Sequence, residues 1–387
     1  TMKRLLSILF VTMFSVGAFA AAQDTDLETL QQEAMTTYAD IVLASYEDSL
    51  VLAVELHDAI EAFLAEPTEE AFAAARDAWR ASNEPYGQTE AYRFYGGPID
   101  DADGPEGLLN AWPLDEAYID YVEGAPEAGI VNNVEEYPEI DADLLVSLNE
   151  VGAEENISTG YHAIEFLLWG QDLSAETSGQ RPFTDYTTAD NADRRAAYLD
   201  VAADLLVSDL ESLVADWAVD TEGNYRETFL ASSPDEAFTN ILTGVGVLAA
   251  AELSGERIFV AYDNQDQEDE HSCFSDNTHR DVVTNFMGIE NVYVGSYTRI
   301  DGTVVEGTGI ADVIEVASAD LNADIMTALD EAGTLADEIF VPFDQAIVLP
   351  DERPVVLDTV FILQDLGDLF AQAGSELGLV INTALPE

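Results

Sequence analysis

The chain has little of several things. Of its 387 residues one is cysteine, Cys273, so no disulfide can form within it. Histidine occurs four times, and Lys and Arg together only 13 times. A surface this poor in base repels phosphate backbones and anionic lipid, which excludes nucleic acid as a partner. Beyond the first twenty positions no uninterrupted apolar run of about 18 residues occurs, so no membrane span is expected in the body of the chain. Several enzyme signatures are missing as well. There is no H-E-x-x-H, which excludes a zincin-type protease, no G-x-S-x-G elbow, and no glycine loop of the phosphate-binding kinds between a strand and a helix.

What is present is acid. Seventy-seven Asp and Glu give a net charge of −64, while 48% of the residues stay hydrophobic. That combination describes a globular core under an acidic surface, not a disordered tail. The acids are spread along the chain, so a solvated surface explains them better than a cation sponge. Self-repulsion on this scale is relieved by salt, and a marine or halophilic source fits it.

The first twenty residues read differently. Lys3 and Arg4 precede an apolar stretch, Leu5 to Val16, and Ala18-Phe19-Ala20 supplies small residues at a cleavage site. This is the pattern of a secretory leader over 1–20, cut after Ala20. No cysteine follows that could carry a lipid. Export without disulfides points to a bacterial periplasm or cell surface, and peripheral association with the cell envelope stays open.

Helical spacing dominates the rest. Tyr38, Ile41, Val42, Tyr46, Leu50, Val54, Ile60 and Leu64 recur at three and four, and predict a helix over 27–64 that Pro67 stops. Thr68 caps a second helix running to Pro85. Gly96-Gly97-Pro98 opens an irregular stretch to about Asp141. A helix near Leu144 follows, then a short apolar one capped by Ser158 or Thr159 and ended by Gly170. Further helices are predicted over 193–217, 234–262, 279–290, 309–338 and 354–380. Alternation around Asp301-Gly302 predicts a small hairpin near 293–305. The fold class is therefore all-α, built as helical bundles. The polar stretch 171–192 suggests a division into an N-terminal unit over 21–175 and a C-terminal unit over 176–387.

Three segments carry chemistry. In GYHAIEFLLWG, residues 160–170, His162 and Glu165 share one helix face inside an otherwise apolar run. An imidazole and a carboxylate so placed can ligate a transition metal, or the glutamate can simply satisfy a buried histidine. A second cluster, Glu268 to His279, holds two histidines, four acids, a thiol and two serines. Cys273 there reads as a small buried hydrophobe before it reads as a nucleophile. In the third, residues 76–94, scarce arginines stand beside acids: Arg80 and Arg93 near Glu84 and Glu90, which suggests buried ion pairs or a ligand contact. His57 lies on the apolar stripe of the first helix and is read as core.

Together EPYGQTEAYRFYGGPID (84–100), GYHAIEFLLWGQD (160–172) and HSCFSDNTHRD (271–281), with GIENVYVG after them, resemble the imelysin family, which takes in insulin-cleaving membrane proteases and iron-regulated A proteins. The order and spacing agree over most of the chain. The resemblance implies two four-helix-bundle-like domains with the motifs meeting in a groove. It implies that His162 and Glu165 are the signature pair, that Glu84 and Glu90 are the acids of the first motif, and that His271, Ser272, Asp276 and His279 come from the other side. On it rests the expectation of an exported protein that binds iron or an iron-containing ligand, with His162, Glu165 and Glu84 as metal ligands. Glu84, Glu90, Arg93, His271, Ser272, Asp276 and His279 would line the ligand pocket. Zinc or another divalent ion is the alternative cofactor. A metal-dependent peptidase with Glu165 as its base is the alternative activity, though one His-x-x-Glu lacks a third ligand. A surface module for a non-metal ligand is the third reading.

Overall fold

The computed structural model describes residues 13–386, with side chains from Leu27 onward. The leader expected over 1–20 lies outside the residues whose side chains are described.

The longest helix, α1 (Met13–Ala65), ends before Pro67 as its sequence predicts. Helix α2 (Glu69–Thr89) starts on the Thr68 side chain, which accepts from the Ala71 amide. It does not stop at Pro85 but carries that proline inside and runs four residues further. Four short helical turns between Glu106 and Leu148 interrupt the irregular stretch. The apolar motif forms α3 (Gly160–Trp169), and α4 (Ala192–Trp217) follows. A turn of helix at Tyr225–Ala231 had no clear periodic signal. Helix α5 spans Pro234–Asn264. Its middle, Leu248–Phe259, is wound as a π-helix. Then come α6 (Thr278–Val294), α7 (Ile310–Ala317), α8 (Ala319–Glu338), α9 (Phe343–Val348) and α10 (Arg353–Glu376). The stretch 309–338 is thus two helices broken at Ser318, not one. The predicted hairpin sits slightly later than 293–305: β1 (Ser296–Thr298) pairs antiparallel with β2 (Val304–Glu306) in register Ser296 to Glu306, because 293–294 still belong to α6.

The fold is all-α apart from that ribbon. Helices α1, α2, α3 and α4 pack on one another, and α5, α6, α8 and α10 form a second four-helix set. Contacts of α6 with α2, and of α1 with α5 and α7, join the two. Helix α4, which follows the 171–192 stretch in sequence, packs on α1 and α3. Helix α5 is long and apolar enough to cross a bilayer, but 67% of its apolar window is buried inside the protein.

His57 corrects the sequence reading. It sits at the edge of the α1–α4 contact, with its side chain 22% exposed and Nε2 3.5 Å from Asp200. Asp200 on α4 offers a partner that the α1 stripe alone could not reveal.

Candidate functional site

Helix α3 is apolar because every one of its residues is buried. Its ends are held from outside. Gly160 (φ +84°) brings the chain so close to the Leu109 carbonyl that a Cβ would lie 2.5 Å from its oxygen. Gly170 (φ +70°) terminates the helix. The expected side-chain cap is absent: Ser158 Oγ donates to the Leu145 carbonyl instead, leaving Thr159 as N-cap without a cap bond. Carbonyls at the C-terminal end are taken by donors from elsewhere. Arg76 Nη2 donates to Leu168 at 2.8 Å, the Tyr186 hydroxyl to Leu167 at 2.6 Å, and the Arg181 amide to Trp169 at 2.7 Å. Trp79 Nε1 donates to the Tyr161 carbonyl. The helix is thereby a fixed mount for two polar side chains.

Those two meet as the i, i+3 spacing predicts. His162 Nδ1 lies 3.1 Å from Glu165 Oε2, and both side chains are fully buried. The other carboxylate oxygen, Oε1, accepts from the Ser275 amide at 2.9 Å and its hydroxyl at 2.6 Å. So the loop before α6 reaches across to α3. It also delivers His271, whose ring centroid is 4.6 Å from that of His162 at an interplanar angle of 84°. His271 has the same arrangement: Nδ1 lies 2.9 Å from Asp281 Oδ2, one turn into α6. Nε2 of both imidazoles is buried and, among the described residues, has no hydrogen-bond partner. Trp112 covers the pair, with ring centroids 5.0 Å from His162 and 6.3 Å from His271.

Burial sets the electrostatics. It lowers His162 to about 4 and drives His271 well below its ordinary value, so both imidazoles are neutral at pH 7. Burial also lifts Glu165 well above its usual range, against the pull of the Ser275 donors.

His271 opens onto a cavity of about 410 Å³ whose walls include Arg93, Glu106, Trp112, Glu252 and Arg257. Under it lies Glu90, 1% exposed. Its Oε2 accepts from Arg93 Nη1 and Arg257 Nη2, each at 2.6 Å, and Oε1 from Asn110. Burial alone would raise this carboxyl, but Arg257 and Arg93 outweigh it and hold it at about 2. The residues of the π segment, Glu252 and Arg257, come from the helix wall facing this cavity. A wider turn of this kind re-aims side chains within a helix.

Of the expected site residues, His162, Glu165 and His271 come together, and Glu90 and Arg93 form the buried ion pair beside them. Ser272 is buried in the same loop, its amide donating to Thr278 Oγ1. Glu84 does not join the imidazoles. Both its oxygens are held at 2.7 Å by Arg280 in a half-exposed bidentate pair. Because α2 runs on through Pro85 to Thr89, Glu84 lies within it while Glu90 caps its end and opens a short 3-10 turn, and the two carboxylates meet different partners. Asp276 turns to a separate carboxylate cluster with Asp172 and Asp344. His279 makes no ring contact with the pair among the described residues. Trp112, Asp281, Ser275 and Arg257 belong to the site without having been singled out. Asp281 closes the motif HSCFSDNTHRD, and Arg257 is one of few bases; either fact could have flagged them.

The family model described as Imelysin matches residues 42–372. An iron-regulated protein A of Synechococcus elongatus is 27% identical over 293 residues, 73% of this chain and 69% of that protein. Among solved structures, an iron-regulated protein A precursor from Parabacteroides distasonis superposes with a TM-score of 0.72 at 20% identity, over 90% of this chain and 95% of that one. An imelysin-like protein from Psychrobacter arcticum gives 0.64 at 13% identity, over 92% and 98%. At these identities the two structures establish the fold.

Proposed function

The chain belongs to the imelysin family, and from that premise we propose that it is an exported binding protein for iron, or for a small iron-bearing ligand, held at the paired imidazoles of His162 and His271. The carrying observation is that two buried Nε2 atoms, in rings 4.6 Å apart, lack any partner among the described residues while each Nδ1 is anchored by a carboxylate. Metal-ligating histidines have this outer support, which fixes the ring and leaves the far nitrogen's lone pair for the ion. Neutral imidazole suits iron, zinc and copper alike, and the name of the cyanobacterial relative favours iron. The cavity beside His271 gives room for a ligand that carries the ion. Glu165 is then a positioning residue, since His162 and Ser275 already engage both its oxygens.

That engagement also weighs against the peptidase reading, in which Glu165 must be free to take a proton from water. Titration calorimetry of the chelator-treated protein with Fe(II), Zn(II) and Cu(II) tests the proposal. His162→Ala and His271→Ala should each weaken iron binding at least tenfold. Binding unchanged in both would place the ion elsewhere. Export is tested by N-terminal sequencing of protein from the periplasm, which should begin at Ala21.

A further inference from the structure

Several deeply buried acids in this fold are met by arginine. Asp120 receives Arg181 and Arg195, Glu90 receives Arg93 and Arg257, and Asp48 receives Arg299. One place gathers buried acids with neither arginine nor histidine paired to them among the described residues. Asp172 at the exit of α3, Asp276 in the loop before α6 and Asp344 on α9 each bring a carboxylate oxygen within 4.8 Å of the other two. Asp172 is 2% exposed and Asp344 1%. Glu270, fully buried, adjoins Asp344, and Glu268 stands at the rim.

The hydrogen bonding is as unusual as the charge. Both oxygens of Asp344, both of Glu270 and Oδ1 of Asp276 are buried without a partner among the described residues. Asp172 is served by the Ser174 amide and Gln267 Nε2, and Asp276 by the Ser178 amide. No Lys or Arg forms an ion pair with any of the four among the described residues, and Arg80 acts on Asp276 only at longer range. Burying a carboxylate with neither donor nor counter-charge costs several kcal/mol. Here four carboxylates from three distant parts of the chain share one place without a counter-charge among the described residues, two of them with both oxygens unpartnered, and a cation would offset that cost.

We propose that Asp172, Asp276, Asp344 and Glu270 form a binding site for a hard divalent cation of the calcium type, separate from the imidazole pair. The donors are all oxygen, with no imidazole or thiolate among them, which selects calcium, magnesium or manganese over iron or copper. The make-up of the site favours calcium: three carboxylates from separate elements form an all-protein oxygen cage, whereas magnesium keeps several waters and takes one or two carboxylates. The backbone supports the arrangement: Asp276 holds a left-handed conformation (φ +55°), affordable if it aims the carboxylate at a ligand. Such an ion ties the loop bearing His271 to the end of α3 and to α9.

The test separates this site from general screening of an acidic surface. Chelator-treated protein is dialysed against Ca²⁺ in about 1 M KCl, where the Debye length falls to about 3 Å. One calcium per chain should be retained and should raise Tm. Asp344→Asn and Asp172→Asn should each weaken calcium affinity at least tenfold while both variants keep the helical circular-dichroism signal of the parent. Should either variant fail to fold, the calcium stoichiometry of the parent protein still decides. No retained calcium, equal affinity for Mg²⁺, or undiminished binding in both folded variants would overturn the proposal. His162→Ala should leave calcium binding unchanged, so the failure of the iron reading and the failure of this one are told apart.

Discussion

Ser275 shows how much of the site hangs on a single residue. Its amide and hydroxyl both donate to Glu165 Oε1, so one residue supplies both hydrogen bonds from the loop to that oxygen. Ser275→Ala removes the hydroxyl and leaves a buried carboxyl short of a donor. A loss of about 1–2 kcal/mol in denaturant unfolding is expected, with iron affinity reduced several-fold by calorimetry. Unchanged stability would mean that Glu165 is satisfied without the hydroxyl. Asp209, on α4, gives a pH test. Its Oδ2 is buried without a partner among the described residues, and burial raises the carboxyl from 3.8 to about 6. The folded protein therefore keeps a proton there that the unfolded chain has already released, so stability falls as pH rises through that window. Asp209→Asn should raise Tm by roughly 2–4 °C at pH 8. The gain should shrink as pH falls below about 6. A gain that persists undiminished at pH 4, near the unfolded value of 3.8, would refute the cause.

At the scale of elements, α3 is the piece on which the geometry depends. Gly160→Ala asks an L-residue to adopt φ +84° against the Leu109 carbonyl. We expect a loss of about 2 kcal/mol or more, from left-handed strain plus the clash, read as a lowered midpoint in urea. The element pattern was legible in the sequence because three-and-four spacing, Thr68, Pro67 and Gly170 act locally. The pairing of His162 with Glu165 was legible for the same reason. What was not legible depends on distance in space. Trp112 stands in a stretch without periodicity, and nothing local says that it covers the imidazoles. Glu84 carries a motif's authority but points to Arg280, because the helix does not end at Pro85. The π winding of α5 leaves no periodic trace, since its apolar residues still fit a helix, yet the π segment carries the Arg257 that donates to Glu90.

For the molecule as a whole the governing quantity is charge. At −64 over 387 residues, repulsion among surface carboxylates works against compaction, and salt relieves it. Between about 0.1 M and 1 M KCl the Debye length shortens from about 10 Å to about 3 Å, and Tm should climb by several degrees in chelator-treated protein. A flat or falling Tm would show that the buried arginine pairs, not the surface, govern the response.

The same molecule carries its own reporter. Cys273, the sole thiol, lies two residues beyond His271 on the bridging loop, 3% exposed, its ionisation suppressed chiefly by burial. An alkylating reagent can reach that sulfur only when the loop lifts away from α3. The pace of labelling in otherwise unmodified protein therefore reports how often the loop that carries His271 opens, and which ions slow that opening.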